Sequence, residues 1–158
     1  MTTGQKLALI RRYYDGCSRG DVELMIETLA PDVVHYFLAP NPGSKPVAGA
    51  ERLARYWSSV QRRFDARWVV DLVVAEDDQA MIEWTLYWTP PDGDERLATR
   101  GAESYLFRDG RIAEIRAFYQ QRTDRSTELD GFDYAGRGYS RLGREESVVH
   151  PLCDRAAR

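Results

Sequence analysis

At 158 residues with 43% hydrophobic content, the chain is sized for one domain with a core of its own. Its 22 basic and 25 acidic residues are interspersed and leave a formal charge of -3, which argues against a nucleic-acid stripe or a basic membrane-binding helix. No apolar run reaches bilayer length, the start Met1-Thr-Thr-Gly-Gln-Lys6 lacks the order of a signal peptide, and Cys17 and Cys153 belong to no CxxC or Cys/His cluster; a cytoplasmic chain with reduced thiols and no metal is expected.

From Gly4 to Ser18, the residues Leu7, Ile10 and Tyr14 recur at helical spacing. Gly20-Asp21 then ends that helix and caps a second, which carries Leu24, Met25 and Leu29 and is closed by Pro31. A β-rich run, Asp32 to Leu38, precedes a Pro/Gly-rich loop from Ala39 to Pro46. A third helix comes next, with Leu53, Trp57, Val60 and Phe64 on one stripe. After Phe64 the period becomes alternating, predicting strands at Arg67 to Ala75, Gln79 to Thr89, Arg96 to Phe107 and Arg111 to Gln121. Turn residues separate them, including Asp92-Gly93 and Asp109-Gly110. This order predicts an α+β fold, with helices gathered on one face of a curved antiparallel sheet rather than a doubly wound parallel one. Residues 123–158 show no clear period and read either as a mobile tail or as an ordered arm; Phe132, Tyr134 and Tyr139 could close a cavity mouth.

The second of these strands separates two chemistries. Met81, Glu83, Thr85 and Tyr87 share one face, and Ile82, Trp84, Leu86 and Trp88 share the other. The mixed face suits the lining of a ligand cavity, and the apolar face, with Phe118, suits a packed layer or a homodimer interface.

The order of elements, with the phrases Tyr13-Tyr-Asp-Gly-Cys-Ser-Arg-Gly-Asp21, Leu29-Ala-Pro-Asp-Val-Val34, Gly49-Ala-Glu-Arg-Leu53 and Asp109-Gly-Arg-Ile-Ala-Glu-Ile-Arg-Ala-Phe-Tyr119, resembles the nuclear transport factor 2-like superfamily. That superfamily includes ketosteroid isomerase, limonene epoxide hydrolase, scytalone dehydratase and the SnoaL-like polyketide cyclases. The resemblance covers about residues 5 to 122 and implies a cone-shaped, cystatin-like curved sheet covered by three N-terminal helices, as a domain over 1–122. It specifies the fold better than the reaction, because one cone hosts many chemistries. Against the ketosteroid isomerase pattern, the resemblance places Tyr13 at the oxyanion-hole tyrosine and Glu103 at its protonated carboxylic partner, which an apolar cavity can keep neutral. Phe37 stands where that family has its proton-shuttling aspartate, which argues against steroid-type isomerisation by that base. Trp57, Tyr87, Ile115, Ala117 and Tyr119 match substrate-contacting positions. Ala117 stands near the catalytic aspartate of the epoxide hydrolases and nogalamycin-type cyclases.

Within this frame His35 is a candidate base on a cavity strand, or alternatively a strand histidine bonded to backbone. Glu83 and Glu103, expected on neighbouring strands of one face, could divide into an acid and a base; a face shift of one residue would turn them to solvent. Tyr13 competes with Tyr14 for the oxyanion role, and both could be core aromatics. Arg100 and Arg116 read as solvated strand residues that could bind a carboxylate. The resulting expectation is a cofactor-independent isomerase, dehydratase or cyclase of secondary metabolism acting on a hydrophobic small molecule. Its catalytic residues would be Glu103, Tyr13, His35 and Glu83, with Phe37, Trp57, Thr85, Tyr87, Ile115, Ala117 and Tyr119 at the substrate. The alternatives are a non-catalytic binding or partner-docking module and, third, an epoxide hydrolase.

Overall fold

A computed structural model describes residues 1–38, 45–120, 129 and 131–152. The chain opens on α1, Thr3–Arg19, whose start is a reciprocal capping box: the Thr2 hydroxyl accepts from Gln5 N at 3.2 Å and Gln5 Oε1 accepts from Thr2 N at 2.8 Å. Gly20 ends it with a left-handed φ of 67°, and Asp21 caps α2, Val22–Thr28, by accepting from Leu24 N. Strand β1 then runs Leu29–Phe37, so Leu29 and Pro31, expected at the end of the second helix, belong to the sheet. A two-residue strand β2, Val47–Ala48, precedes α3, Ala50–Phe64, and the meander β3 Arg67–Glu76, β4 Gln79–Trp88, β5 Leu97–Arg108 and β6 Arg111–Tyr119 completes the sheet. The expected loop at Ala39 lies largely outside the described residues.

These elements form an α+β fold, three helices against one face of a six-stranded curved sheet in the order β2-β1-β6-β5-β4-β3. The pairings are antiparallel except β1 on β6, which is parallel, because the helical connections carry the chain across the sheet before the meander begins. The β5–β6 reversal is a two-residue loop of Asp109 and Gly110, both at positive φ, as a primed hairpin turn requires. Among the described residues, no helix is long and apolar enough to cross a membrane.

The core lies between helices and sheet, where Ile10, Tyr14, Leu53, Trp57, Ile82 and Trp84 are all buried. Here the sequence expectation for β4 is reversed. Ile82, Trp84 and Leu86 pack inward under the helices, and Trp88 meets Phe64 of α3 edge-on, so the patch expected to form a subunit interface is covered within one chain. Large apolar side chains gain most by facing the helices, and that burial sets the strand's facing. Phe118 alone of that group is on the outer face, 43% exposed.

The outer, convex face has its own cover. Residues 131–152 lie across it: Ser140, Ser147 and His150 are buried, and Arg96 forms a two-point ion pair with Glu145 at 2.7 and 2.9 Å. Of the two options for the tail, this part is an ordered arm on its own sheet, while residues 153–158, Cys153 among them, lie outside the described residues.

One residue without a side chain holds the inner face together. Gly101 lies beneath the Trp84 indole, and a methyl group there would sit well inside contact distance of that ring and of the Phe118 carbonyl. Gly101→Ala is therefore expected to cost about 2 kcal/mol through overpacking, read as a lower midpoint in urea unfolding with an unchanged slope.

Candidate functional site

Strand register decides which polar groups meet inside the cone. Ile82 pairs with Glu103, Glu103 with Ala117, and Phe37 with Ala117, which puts these four side chains in one row on the inner face. The next row is His35, Ile115, Tyr105 and Ala80. Helices α1 and α3 close over these rows and bring Tyr13, Tyr14 and Trp57 to them.

Glu103 is the centre of the arrangement. It is 5% exposed, and its Oε2 accepts from Tyr14 Oη at 2.6 Å and from Tyr105 Oη. Burial pushes its carboxyl from the ordinary 4.5 up to about 7, against the opposing pull of the two phenols. The phenols of Tyr14 and Tyr105 are in turn driven upward, first by burial and then by the Glu103 charge, so both remain protonated donors. Both bonds fall on one carboxyl oxygen, and Oε1 accepts none from the described residues.

His35 is fully buried between aromatic rings, 4.4 Å from Phe37 and 5.4 Å from Trp57 between centroids. Burial drives its pKa from 6.5 down to about 3, so the ring is neutral at physiological pH. Neither of its nitrogens has a hydrogen-bond partner among the described residues, and the same holds for Trp84 Nε1. Tyr13 is pushed upward by burial, then by the charges of Cys17 and Glu103, and its hydroxyl also interacts with the side chains of Trp57 and Cys17. Buried polar atoms are normally paired. His35 and Trp84 thus bring buried nitrogens without partners among the described residues to the inner face that carries Glu103, beside the aromatic rings of Phe37, Trp57 and Tyr119.

The structure thus unites Glu103, Tyr13, His35, Phe37, Trp57, Ile115, Ala117 and Tyr119 on the inner side, and it separates Glu83, Thr85 and Tyr87 from them. Glu83 pairs with Ala102, not Glu103, so the two carboxylates point to opposite faces. Glu83 is exposed and accepts from Tyr139 Oη at 2.7 Å. Thr85 lies under the C-terminal arm, where its hydroxyl donates to Asp71 and accepts from Arg100 Nη1 at 2.7 Å. Tyr87 packs with Val69 and Ala98 in a small second core on that side. Phe132, Tyr134 and Tyr139 cluster on the same side, with the Arg100 guanidinium 3.9 Å from the Tyr134 ring. Arg100 is accordingly a buried structural residue, whereas Arg116 is half-exposed beside Glu114.

Of the two tyrosines that competed in the sequence reading, Tyr14 and not Tyr13 bonds Glu103, since Tyr14 continues the Leu7 and Ile10 stripe that faces the sheet. Two participants escaped that reading. Tyr105 lies two residues beyond Glu103 on one strand and so shares its face. Trp84 went unrecognised because the face of β4 was taken the wrong way round.

A family model described as a SnoaL-like domain matches residues 10–115. Among solved structures, a cystatin-like protein of unknown function from Methylobium petroleophilum PM1 is 33% identical, with a TM-score of 0.67 over 100% of this chain and 99% of the other. A proposed SnoaL-like polyketide cyclase from Jannaschia sp. CCS1 is 21% identical, with a TM-score of 0.62 over 75% of this chain and 87% of that one. AclR, a proposed hydroxylase from Streptomyces galilaeus, is 22% identical, with a TM-score of 0.61 over 77% and 82%. No curated protein matches the chain significantly.

Proposed function

This chain belongs to the SnoaL-like domain family, and from that premise we propose that it is a cofactor-independent enzyme that moves a proton on a small, flat, largely apolar molecule bearing carbonyl or enolic oxygen. The observation that carries this reading is Glu103, held at one oxygen by two tyrosines, titrating at about 7 and sharing the inner face of the sheet with the His35 and Trp84 nitrogens, which have no partner among the described residues. A carboxyl near neutrality is suited to take a proton and return it. Its Oε1 removes hydrogen from carbon beside the carbonyl, the electron pair passes to the carbonyl oxygen, and the Tyr13 hydroxyl with the indole N–H groups stabilises the resulting oxyanion. Return of the proton to another carbon is an isomerisation. Attack of the enolate carbon on a second carbonyl closes a ring, the new alkoxide takes back the proton held by Glu103, and later loss of that hydroxyl with a neighbouring hydrogen as water is a dehydration. His35 acts here as a neutral hydrogen-bonding group, because its depressed pKa makes it a poor proton acceptor. The second reading, a non-catalytic binding module, is supported by the row around Glu103, whose other members Phe37, Ala117 and Ile82 are apolar and supply no further acid or base.

Exchange of the α-hydrogens of 2-tetralone in D2O, monitored by NMR, separates the two. Wild type is expected to accelerate exchange, and Glu103→Gln and Tyr13→Phe are each expected to slow it by about 100-fold. Binding of 2-tetralone without exchange above buffer supports the module instead. Absence of both exchange and binding removes the assignment of this face as the site.

A further inference from the structure

Three cations line one groove at the β1–β2 edge of the sheet. Arg52, Arg55 and Tyr56 stand at spacings of three and four on α3, so the same exposed side of the helix presents all of them. Lys45 comes from the strand side, two residues before Val47, which pairs with His35. Together with Phe37 they border a groove of about 600 Å³, and no carboxylate is among its described lining residues. Arg55 is bound to Glu51 at 2.8 and 3.1 Å, whereas the Lys45 and Arg52 side chains form neither an ion pair nor a hydrogen bond among the described residues. Two positive charges are therefore left for something else.

Phe37 joins this groove to the inner face. Its ring lies 5.6 Å from that of Tyr56 in the groove and 4.4 Å from that of His35 within, between centroids. Along the sheet Phe37 pairs with Ala117 and Ala117 with Glu103, so Phe37 and Glu103 are two strands apart with one methyl side chain between them. Two strand spacings are about 10 Å. A flat molecule lying along this row with its reacting carbon at Glu103 ends beside Phe37 and Tyr56, where the first charges it meets are basic.

On the proton-transfer reading of Glu103, we propose that this groove is the outer half of the same site and that the substrate is a keto acid, its ketone at Glu103 and its carboxylate held by Arg52 and Lys45. The guanidinium offers a carboxylate two parallel N–H groups, and the ammonium adds a third donor. A chain of net charge -3 repels anions at large, so a locally positive groove directs an acid to one place on its surface. The two ends of the ligand need opposite surroundings: the apolar ring gains by burial beside Phe37, and the carboxylate keeps its hydration at the exposed arginine and lysine. At about 10 Å, with cations beside it, that carboxylate opposes the charge on Glu103 only weakly.

6-Carboxymethyl-2-tetralone and its methyl ester share the enolisable ring and differ in charge. Titration of the full chain followed by NMR shifts reads their binding, and exchange of their α-hydrogens in D2O reads the chemistry. Wild type is expected to bind the acid about 10-fold more tightly than the ester, with shifts at Arg52, at Phe37 and along the Glu103 row, and to lose most of that advantage in high salt. In the double variant Lys45→Gln and Arg52→Gln the advantage should fall below about twofold. Arg62→Gln, which removes an exposed charge from the same helix outside the groove, should retain it. All three positions are exposed, so folding is expected to be intact in both variants. Equal affinities in wild type, or an equal loss in Arg62→Gln, would overturn the acid end. Shifts confined to the groove, with the Glu103 row unmoved, would overturn its union with the inner face. Acid-selective binding that reaches both regions without exchange above buffer upholds the carboxylate site and removes the proton transfer; exchange with no preference for the acid does the reverse.

Discussion

Between about pH 4.5 and about pH 7 the wild-type protein is expected to lose roughly 3 kcal/mol of stability that Glu103→Gln retains. The folded carboxyl titrates at about 7 and the unfolded one near 4.5, so the folded state holds its proton more tightly across that window. The stabilising contribution is complete below the unfolded value, declines as pH rises, and is gone above the folded value. Burial is the dominant cause, and the two tyrosine bonds limit the shift by favouring the carboxylate. Glutamine preserves the shape and an acceptor for Tyr14 and Tyr105 but carries no titrating proton. Urea unfolding at several pH values, wild type against variant, yields the difference directly. Parallel curves would mean that the carboxyl is solvated in the folded protein, and the proposed proton transfer would lose its tuned acid.

His35 produces the opposite dependence. Its folded pKa of about 3 lies below the ordinary 6.5, so its contribution is present above the upper value and is lost as acid is added. Approaching pH 3 that loss reaches roughly 5 kcal/mol, enough to rank the imidazole among the main determinants of acid unfolding. His35→Leu, which keeps apolar volume between Phe37 and Trp57, is expected to move the acid midpoint, measured by circular dichroism, to clearly lower pH. At neutral pH the variant should be more stable by about 1 kcal/mol, because two buried nitrogens without partners are removed. A polar pair held unbonded at such a cost is what a ligand site retains, and a purely structural histidine would have found a partner. A neutral-pH loss above about 2 kcal/mol would show the imidazole to be satisfied in the free protein and would withdraw it from the site.

Much of the architecture was legible along the chain. Capping at Asp21, the stripe of α3 and the Asp109-Gly110 turn act over a few residues, and the structure keeps each of them. The site was legible in part. Glu103, Tyr13, His35, Phe37 and Trp57 were named from pattern and resemblance and do share the inner side, whereas Glu83, Thr85 and Tyr87 do not. Tyr105 was missed although it stands two residues from Glu103 on the same strand, and Tyr14 was weighed only as a competitor of Tyr13, because a hydrogen bond between residues 89 positions apart leaves no local trace. The role of the arm was equally hidden: Ser147 and His150 bond the backbone of Val70 on the edge strand β3, a contact with no local pattern.

What the sequence determined by itself was periodicity: three amphipathic helices, a meander of strands, and a β4 with one apolar and one mixed face. A period of two distinguishes those faces without saying which is inside, and shifting the reading by one residue exchanges them. Only the tertiary structure decided the matter, when pairing Ile82 with Glu103 and laying the helices over Trp84 made burial of the larger apolar area the stronger term. The same register carried Glu103 inward and Glu83 outward, and it left the convex face for the chain's own C-terminal arm to cover.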